Sequence, residues 1–430
     1  MAASKVTSLA GNFGRLWRQG HETFSPEARR IISVQGTGAT TYLQGLLTCD
    51  LLSAPPAPRE EQDEQNVDEN TPLVDFSEQL RSACFLDPKG RILTDSLLWK
   101  VDENQYYLDV PGDSADSLLA HLKTFVLRRS KVKIVDQSQD VASHVVFGTL
   151  NAQGGPPGYL SSMDPRHPSL GMRILSLHGR DEAKFEKIMS SNFPKAEGTY
   201  DVIRKLAGVA EGSELAGKIA LESNQEFLNA VSFRKGCYLG QELTARVQHT
   251  GAIRKRIMPM VLLDTNMSVP KPWIVASQIQ EGRQDVAFDG QELTGIPPKL
   301  PRMSASAAGS LVAMMTGSIE GEEESEELNK MRAHGDALLE TVQTMERGHK
   351  IVDTTDGKTI GQIIAKPELG TNVLLAQMRL DRVGLLGEGK WSYMNKVTIG
   401  DNPNQLRFLP YLPLWWPEMD SETGKAREDK

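Results

Sequence analysis

Short apolar runs separated by turn residues are the feature that most constrains the fold of this chain. The runs "SACFL" and "RILTDSLLWKV" flank Asp87-Pro88-Lys89-Gly90. Proline and glycine suit consecutive positions of a tight turn, so a β-hairpin is predicted here. Further strands are predicted at "RRIISVQG" (Arg29–Gly36) and "YYLDV" (Tyr106–Val110), with a short helix in "TTYLQGLL" between them.

The region that follows alternates helices with strands. Asp113 or Ser114 can cap a helix whose apolar stripe comprises Leu118, Leu119, Leu122 and Phe125. Strands are predicted in "KVKIVD" and "HVVFGTL". A similar order recurs in the strand "MRILSLHG", a helix starting near Asp181 and a helix in "YDVIRKLAG". This alternation predicts an α+β fold with antiparallel sheets, arranged as two related lobes.

The character of the chain changes at about residue 257. Short strands are separated there by Gly, Pro and Asp, and Asp356-Gly357 is a strong hairpin signal. A C-terminal β-barrel is predicted over residues 257–420, followed by a polar tail at 421–430. No apolar run approaches the ~18 residues needed to span a bilayer. The proline-broken "FLPYLPLWWP" at Phe408–Pro417 is interpreted as a docked tail.

Most of the acidity of the chain lies in two low-complexity segments. The formal net charge is −8. Ala54–Pro72 carries six acids and Arg59, and Ser318–Leu328 carries six acids and no base. Such segments bury too little apolar surface to order, so mobile insertions are predicted at 54–72 and 318–335, the second as a loop within the barrel. The rest of the chain is mildly basic.

Cysteine usage and the N-terminus bear on the compartment. The three cysteines are odd in number, far apart and without a CxxC pair, which favours a reducing compartment over a disulfide framework. The first 20 residues contain Lys5, Arg15 and Arg18 but no acid. That bias is typical of transit peptides, although a basic segment joined to the first strand would look the same. Residues 1–12 are therefore assigned to an N-terminal segment that could be a transit remnant.

The stretch "FRKGCYLGQE" (Phe233–Glu242) places Cys237 beside basic residues and glycines. Between residues 234 and 257 the chain holds six Lys or Arg against one acid. Basic neighbours stabilise a thiolate, the form that acts as nucleophile and metal ligand. Gly236 and Gly240 allow tight turns, and a helix is predicted to start at "GQELTARV".

Composition alone leaves other interpretations of this stretch open. Cys237 could be a small buried hydrophobe, the usual state of a free cysteine, or could pair with His249 as a catalytic dyad. A complete metal site has no support in the spacing, so metal binding would require ligands from a partner. The basic run 254–256 could be a solvated face or a phosphate- or carboxylate-binding patch. Nucleic-acid binding is not expected, because the patch is short and aromatic residues are sparse.

The segment Leu221–Arg256, "LESNQEFLNAVSFRKGCYLGQELTARVQHTGAIRKR", closely resembles the signature of the YgfZ-type proteins, relatives of the glycine-cleavage T-protein. "ISVQGTGATTYLQGLLTCDL", "ACFLDPKGRILTDSLLWK" and "GVAEGSELAGKIALESN" also look like segments of this family. The resemblance is strong over residues 13–256 and loose beyond them. It implies a three-lobed fold with a folate-type pocket between the lobes.

The eukaryotic members that this chain resembles are iron–sulfur assembly factors of the mitochondrial matrix. The resemblance implies action with A-type scaffold proteins late in the maturation of [4Fe–4S] proteins. It makes Cys237 the functional cysteine. The favoured hypothesis is that Cys237 is one ligand of a [2Fe–2S] or [4Fe–4S] cluster shared with the partner, and the alternative is that it acts as a reactive thiol. The supporting motif residues are Lys235, Gly236, Tyr238, Gly240, Gln241, Glu242 and Arg246, and the folate-type pocket would involve Glu222, Asn224 and Asp95.

One departure from the family pattern weakens an enzymatic alternative. The T-protein transferases carry an Asp-Asp pair after a Gly-Gly turn, whereas this chain has Thr94-Asp95 after Gly90. A non-enzymatic assembly factor is therefore favoured. The alternatives are a folate-dependent aminomethyl transferase and a protein that binds tetrahydrofolate as a regulatory or structural ligand. The isolated chain is expected to be monomeric, with no membrane span.

Overall fold

The computed structural model describes residues 19–54, 79–148, 158–177, 182–189, 193–266, 300–315, 326–368, 370–388, 391 and 395–427. Contacts divide the chain into two units. The N-terminal unit comprises Leu16–Tyr200 and Glu211–Gly251. The barrel unit contains Asp201–Ala210 and Ala252–Lys430. Among the described residues, no helix is long and apolar enough to cross a membrane.

A five-stranded antiparallel sheet forms one part of the N-terminal unit, in the order β3-β4-β5-β2-β6. Its strands are β2 (Arg29–Gln35), β3 (Leu80–Leu86), β4 (Ile92–Asp102), β5 (Gln105–Pro111) and β6 (Lys133–Asp136). The predicted β3–β4 hairpin is confirmed, since the Gly90 N–H donates to the Asp87 carbonyl at 2.9 Å and Gly90 has φ +80°. This sheet positions the two segments that flank the candidate site.

A second antiparallel sheet in the same unit has the order β1-β7-β9-β8. Its strands are β1 (Gln19–Thr23), β7 (Ala142–Gly148), β8 (Tyr159–Met163) and β9 (Met172–Ser176). The described helices of this unit are α1 (Ala39–Gln44), α2 (Gly112–Thr124), α3 (Glu182–Met189) and α5 (Gln241–Thr250). Helix α4 (Thr199–Leu206) lies mostly within Asp201–Ala210 of the barrel unit. The predicted mixed fold with antiparallel sheets is confirmed. The expected helix start at Asp181 falls on a residue outside the described ranges.

Helix α2 packs its predicted apolar stripe against the five-stranded sheet. Leu118 and Leu122 are fully buried, and Leu119 and Phe125 pack partly buried against the same core cluster. The predicted cap is wrong, because the helix begins at Gly112 with Pro111 preceding it. The two candidate caps have other partners. Asp113 accepts from the Ser213 N–H at 3.2 Å, and the Ser114 hydroxyl donates to the Pro111 carbonyl at 3.2 Å.

The barrel unit contains the closed β-barrel that the turn-rich C-terminal sequence predicts. The barrel has six strands in the order β10-β14-β13-β12-β15-β16. They are β10 (Lys255–Asp264), β12 (Lys350–Asp353), β13 (Thr359–Ala365), β14 (Val373–Arg379), β15 (Lys396–Ile399) and β16 (Leu406–Pro410). A short parallel pair joins β11 (Arg302–Met303) to β17 (Leu412–Pro413). Besides α4, the helices of this unit within the described ranges are α6 (Ala305–Met315) and α7 (Glu326–Gln343).

The segment that was expected to be a docked tail contributes a strand to the barrel. The segment from residue 408 is not simply a tail, because Phe408–Pro410 belongs to β16, which closes the barrel between β10 and β15. Beyond it, the Tyr411 hydroxyl donates to the Leu206 carbonyl at 2.7 Å and the Trp415 indole N–H donates to the Ala207 carbonyl at 2.8 Å.

The second acidic insertion is not a loop throughout, because α7 starts at Glu326. The reason is downstream apolar spacing: Leu338 and Val342, four residues apart on the helix, are both buried. The acidic positions 316–325, most of the first insertion and the N-terminal residues 1–18 lie outside the described residues.

Candidate functional site

Cys237 lies in an irregular loop, residues 233–240, immediately before α5. This segment is called the cysteine loop below. The thiol-bearing residue is exposed to solvent, and so are its neighbours Phe233, Arg234 and Gly236. The predicted helix start is confirmed, since α5 begins at Gln241. The interpretation of Cys237 as a buried core thiol is therefore wrong.

Lys235 fastens the cysteine loop to the segment that follows α1. Its ammonium donates to three backbone carbonyls, those of Gln44 at 2.8 Å, Leu47 at 2.6 Å and Cys49 at 2.8 Å. The ammonium also lies 4.8 Å from the centre of the Tyr238 ring, within range of a cation–π contact. Burial lowers the pKa of Lys235 to about 8. The three donors of this cation are thus committed to the backbone and serve to hold the loop.

The far end of the cysteine loop packs against the β3–β4 turn. Gly240 has φ +77°, and a Cβ at this position would lie 2.5 Å from the Asp87 carbonyl oxygen. A Cβ at Gly90 would in turn lie 2.6 Å from the Gly240 carbonyl oxygen. Only glycine fits both positions. The Leu239 N–H adds a hydrogen bond to the Gly45 carbonyl at 3.0 Å.

Other motif residues complete this attachment. The Gln241 side-chain oxygen accepts from the Tyr238 N–H at 3.1 Å, and burial raises the pKa of the Tyr238 hydroxyl to about 12. Gly236 is different, because a Cβ there would meet no atom within 4 Å. The loop is therefore held at Lys235 and at Tyr238–Gly240, while the Gly236–Cys237 tip faces open space.

The other two cysteines have a different environment. Cys49 and Cys84 are buried. Burial raises the pKa of the Cys49 thiol to about 11 and that of Cys84 well above its ordinary value. The Cys84 thiol also donates to the Gln225 side-chain oxygen at 3.2 Å. Neither buried thiol is available as a thiolate, so the exposed Cys237 is the candidate reactive sulfur.

The face of α5 that follows the loop bears Glu242, Ala245, Arg246 and His249, which are all exposed. His249 is eight residues beyond the first residue of the helix, about 12 Å along its axis at the α-helical rise. This separation speaks against a Cys237–His249 dyad. Within the described ranges, no group of three or more His, Cys, Asp or Glu residues is placed to hold a metal ion.

The basic run 254–256 divides by exposure. Arg254 and Lys255 are exposed, whereas Arg256 is fully buried in β10 and donates to the Gly424 carbonyl at 3.3 Å. The expected solvated face or anion-binding patch is therefore wrong for Arg256, which is a structural residue of the barrel unit.

The three residues expected at a folate-type pocket lie in the N-terminal unit. Asp95 is buried in β4, opposite Cys84 in the β3–β4 register. Asn224 is fully buried and has the left-handed φ of 60°. Glu222 is half-buried in the preceding 3₁₀ turn. Because Cys84 contacts Gln225, it links the strand of Asp95 to the turn that contains Glu222 and Asn224.

Asp95 also belongs to a buried charged cluster that the sequence analysis missed. The members, defined here as the arginine cluster, are Arg29, Asp95, Asp109, Asp164, Arg166, Arg173, Tyr200 and Glu211. Arg166 binds Asp164 at 2.8 Å and Glu211 at 2.5 Å. Arg29 binds Asp109 at 2.6 Å and Glu211 at 2.9 Å.

The electrostatics of the arginine cluster separate its carboxylates. Burial alone would raise the pKa of Asp164, but Arg166 and Arg173 lower it below its ordinary value. Asp95 accepts from the Gly212 N–H at 2.7 Å and lies 3.7 Å from Arg166. Burial, with the nearby Glu211 adding to it, raises the pKa of Asp95 to about 6. Asp95 is thus more readily protonated than Asp164.

The preceding residue, Thr94, is buried and within 2.8 Å of the Ser114 hydroxyl. A sequence signal for the arginine cluster did exist: Arg173 interrupts the apolar strand β9, "MRILS". A charge inside a buried strand requires a partner. A surface cleft of about 500 Å³ lies elsewhere in the unit, lined by Pro26, Glu27, Arg30, Gly112, Asp136, Ser138 and Gln139.

Comparison with known proteins gives a consistent picture. No family model matches the chain. A protein of Mycosarcoma maydis named "Iron-sulfur cluster assembly factor IBA57 homolog, mitochondrial" is 35% identical over 243 residues, 54% of this chain and 55% of the relative. Proteins of the same name from Pyricularia oryzae and Chaetomium globosum are 32% and 30% identical and cover 55% and 63% of this chain. They match over 57% and 63% of their own lengths.

Among solved structures, the chain is similar to the glycine cleavage system aminomethyltransferase T from Bartonella henselae. The TM-score is 0.55 at 12% identity, over 97% of this chain and 91% of that chain. At this identity the likeness shows the fold alone. The chain spans little more than half the length of the curated relatives it matches. The predicted resemblance to T-protein-related assembly factors is confirmed in both sequence and fold.

Proposed function

The chain is related to proteins named as mitochondrial iron–sulfur cluster assembly factors. We propose that it is itself an iron–sulfur cluster assembly factor and acts in the mitochondrial matrix. Its cargo is an iron–sulfur cluster that it helps to deliver late in the maturation of [4Fe–4S] proteins. The observation that supports this most is the exposure of Cys237 on a loop that Lys235 and Gly240 fix to the body of the unit.

The environment of Cys237 suits a ligand that is shared with another protein. Iron–sulfur clusters are held by several thiolates, usually four. Cys49 and Cys84 are buried with raised pKa values, so Cys237 supplies one sulfur and the partner supplies the others. The partner is an A-type scaffold protein, and the cluster is [2Fe–2S] or [4Fe–4S]. Open space around Gly236 leaves room for the approach of such a partner.

The ligand role is tested by anaerobic co-purification of the chain with an A-type scaffold protein. The Cys237→Ser variant is expected to lose the visible absorption of the shared cluster. Cys49→Ala is the matched control, since it also removes one thiol but a buried one, and it should keep the spectrum. An unchanged spectrum in Cys237→Ser would rule out the ligand role.

The assembly role is tested separately in cells depleted of the protein. Aconitase activity and the level of lipoylated proteins should both fall, and wild-type protein should restore them. Restoration by Cys237→Ser would show that the cysteine is dispensable for assembly. Normal levels of both markers after depletion would contradict the assembly role itself.

The fold of an aminomethyltransferase supports one alternative, a folate-dependent transferase or a folate-binding regulator. Asp95 is the carboxylate that such chemistry would use, but it is engaged by Gly212 and lies near Arg166, and its neighbour is Thr94. Calorimetric titration with tetrahydrofolate followed by an aminomethyl-transfer assay separates binding from turnover. Turnover that requires Asp95 and is indifferent to Cys237 would favour the transferase, whereas binding without turnover would favour the regulator.

A further inference from the structure

A stretch of surface from the C-terminal end of α2 to the start of β6 is strongly basic. Residues 117–135 contain no Asp or Glu. The stretch holds five Lys or Arg residues, all of them exposed, and two exposed aliphatic residues. The set, called the basic patch below, comprises Lys123, Val126, Leu127, Arg128, Arg129, Lys131 and Lys133. None of the motifs that point to the assembly role lies within it.

The cations of the basic patch make no ion pair with any described residue, and the nearest acids along the chain are already engaged. Asp116 precedes the stretch and Asp136 follows it. Both bind Arg30, whose guanidinium lies 2.5 Å from Asp116 and donates through Nε to Asp136 at 3.1 Å. The positive charge of the patch is therefore left for an external anion.

The aliphatic residues of the patch are exposed although the segment is well anchored. Val126 is 37% exposed and Leu127 is 52% exposed. The apolar residues on either side, Phe125 and Val132, pack against the core cluster. The turn at Leu127–Ser130 is also closed by a hydrogen bond, since the Ser130 N–H donates to the Leu127 carbonyl at 2.8 Å. Burial of the flanking residues thus directs Val126 and Leu127 outward.

The backbone of Ser130 and Lys131 packs closely against two glycines. A Cβ at Gly36 would lie 2.0 Å from the Lys131 carbonyl oxygen, and a Cβ at Gly38 would lie 1.9 Å from that of Ser130. Lys131 itself adopts a left-handed conformation with φ 49°. The backbone that presents the patch is therefore held in place by its own packing before any partner binds.

We propose that the basic patch binds the surface of a membrane that contains anionic phospholipid. Lys and Arg side chains near such a surface gain energy from the negative headgroups. Exposed aliphatic side chains beside them can enter the headgroup–acyl boundary. This combination distinguishes a lipid surface from a nucleic acid, because single strands are bound through basic grooves with stacking aromatic residues. Val126 and Leu127 provide no stacking surface.

The test uses the full chain and co-sedimentation with phosphatidylcholine vesicles, with and without phosphatidylglycerol. Wild-type protein is expected to sediment with the anionic vesicles only, and less so at high salt. Removal of two charges in Arg128→Gln/Arg129→Gln should weaken partitioning about 5-fold per charge, so roughly 25-fold. The aliphatic variant Val126→Ser/Leu127→Ser should weaken it about 10-fold and keep its salt dependence.

The matched control is Lys350→Gln/Lys358→Gln, which removes two exposed cations of the barrel unit and should bind like the wild type. Three outcomes would overturn the proposal. They are equal sedimentation with anionic and neutral vesicles, equal losses in the control and the patch variant, and tighter binding to a single-stranded oligonucleotide that the aliphatic variant leaves unchanged. Cluster formation with Cys237 is a separate readout, so the assembly role does not depend on this result.

Discussion

The cysteine loop and the arginine cluster lie in the same unit, and each depends on cations removed wholly or partly from solvent, yet they use charge in opposite ways. Arg166 binds two carboxylates, Asp164 and Glu211, so charge is matched by charge. Lys235 donates to three neutral carbonyls, and Asp50 acts on its charge only electrostatically, without a direct ion pair. The first arrangement stabilises the interior, whereas the second fixes a loop and leaves its tip open.

The difference shows how positive charge near a motif should be interpreted. A basic side chain next to a cysteine suggests an electrostatic effect on the thiol, but Lys235 donates instead to the backbone of residues 44–49. The arginine cluster, by contrast, provides no exposed group. Four measurements can break or sharpen the contrast, beginning with the one expected to have the largest effect.

Arg166→Met should be the most destabilising change. It would leave Asp164 and Glu211 buried without their shared guanidinium, and loss of one partner of a buried ion pair costs about 3–5 kcal/mol. Denaturant unfolding of the variant measures this loss. The control, Arg379→Met, removes one side of the exposed Arg379–Asp381 pair and should cost under about 1 kcal/mol. Equal losses would show that the cluster is not special.

Asp95 should make stability depend on pH. Its pKa is raised from 3.8 to about 6 in the folded protein, so folding favours the protonated carboxyl. That contribution is fully present below about pH 3.8 and is lost as the pH rises through about 6. The free energy of unfolding of Asp95→Asn, relative to that of wild type, should therefore increase by about 3 kcal/mol as the pH rises between those limits. Denaturant unfolding across the pH range measures the difference, and a flat difference would contradict the assignment.

Lys235→Met should have a moderate effect on stability. The variant keeps the length of the side chain but leaves three carbonyls without their donor, at a cost of about 2 kcal/mol once desolvation of the ammonium is offset. Chemical denaturation measures this cost, and cluster formation with the scaffold should also fall although Cys237 is intact. Arg234→Met, at an exposed neighbour, should stay within about 0.5 kcal/mol of wild type. Full cluster formation by Lys235→Met would show that the fixed loop is unnecessary.

Gly236→Ala should have the smallest effect. Its Cβ would meet no atom within 4 Å, so unfolding should shift by less than about 0.5 kcal/mol. Gly240→Ala is the contrasting variant, because φ +77° and the contact with Asp87 should cost about 2–4 kcal/mol. Comparable losses in the two variants would mean that the loop tip is packed rather than open.

Local patterns were sufficient to predict much of the fold. The Asp87–Gly90 turn, the apolar stripe of α2 and the start of α5 at Gln241 depend on near neighbours in the chain, and all three were predicted. The predictions that were wrong concern residues whose partners are distant in the sequence. Arg256 looked like a solvated cation because its acceptor, the Gly424 carbonyl, is 168 residues away. The cap of α2 failed because Asp113 binds Ser213, which is 100 residues away.

The same reasoning applies to the candidate site. The motif identified Cys237, but only the structure shows that it is exposed while Cys49 and Cys84 are buried. The arginine cluster collects residues from six separate stretches of the chain, so no local pattern could assemble it. The basic patch was not predicted, although the sequence carries a signal for it, because residues 117–135 contain no Asp or Glu.

The position of Asp201–Ala210 in the barrel unit has a consequence for synthesis on the ribosome. The carbonyls of Leu206 and Ala207 cannot form these hydrogen bonds until Tyr411 and Trp415 have been synthesised, 205 and 208 residues later in the chain. At ordinary translation rates these donors are made some 10 to 40 seconds after their acceptors. Until then, residues 201–210 are accessible to chaperones and to incorrect pairing. The end of α4 is therefore among the last parts of the chain to reach its final packing.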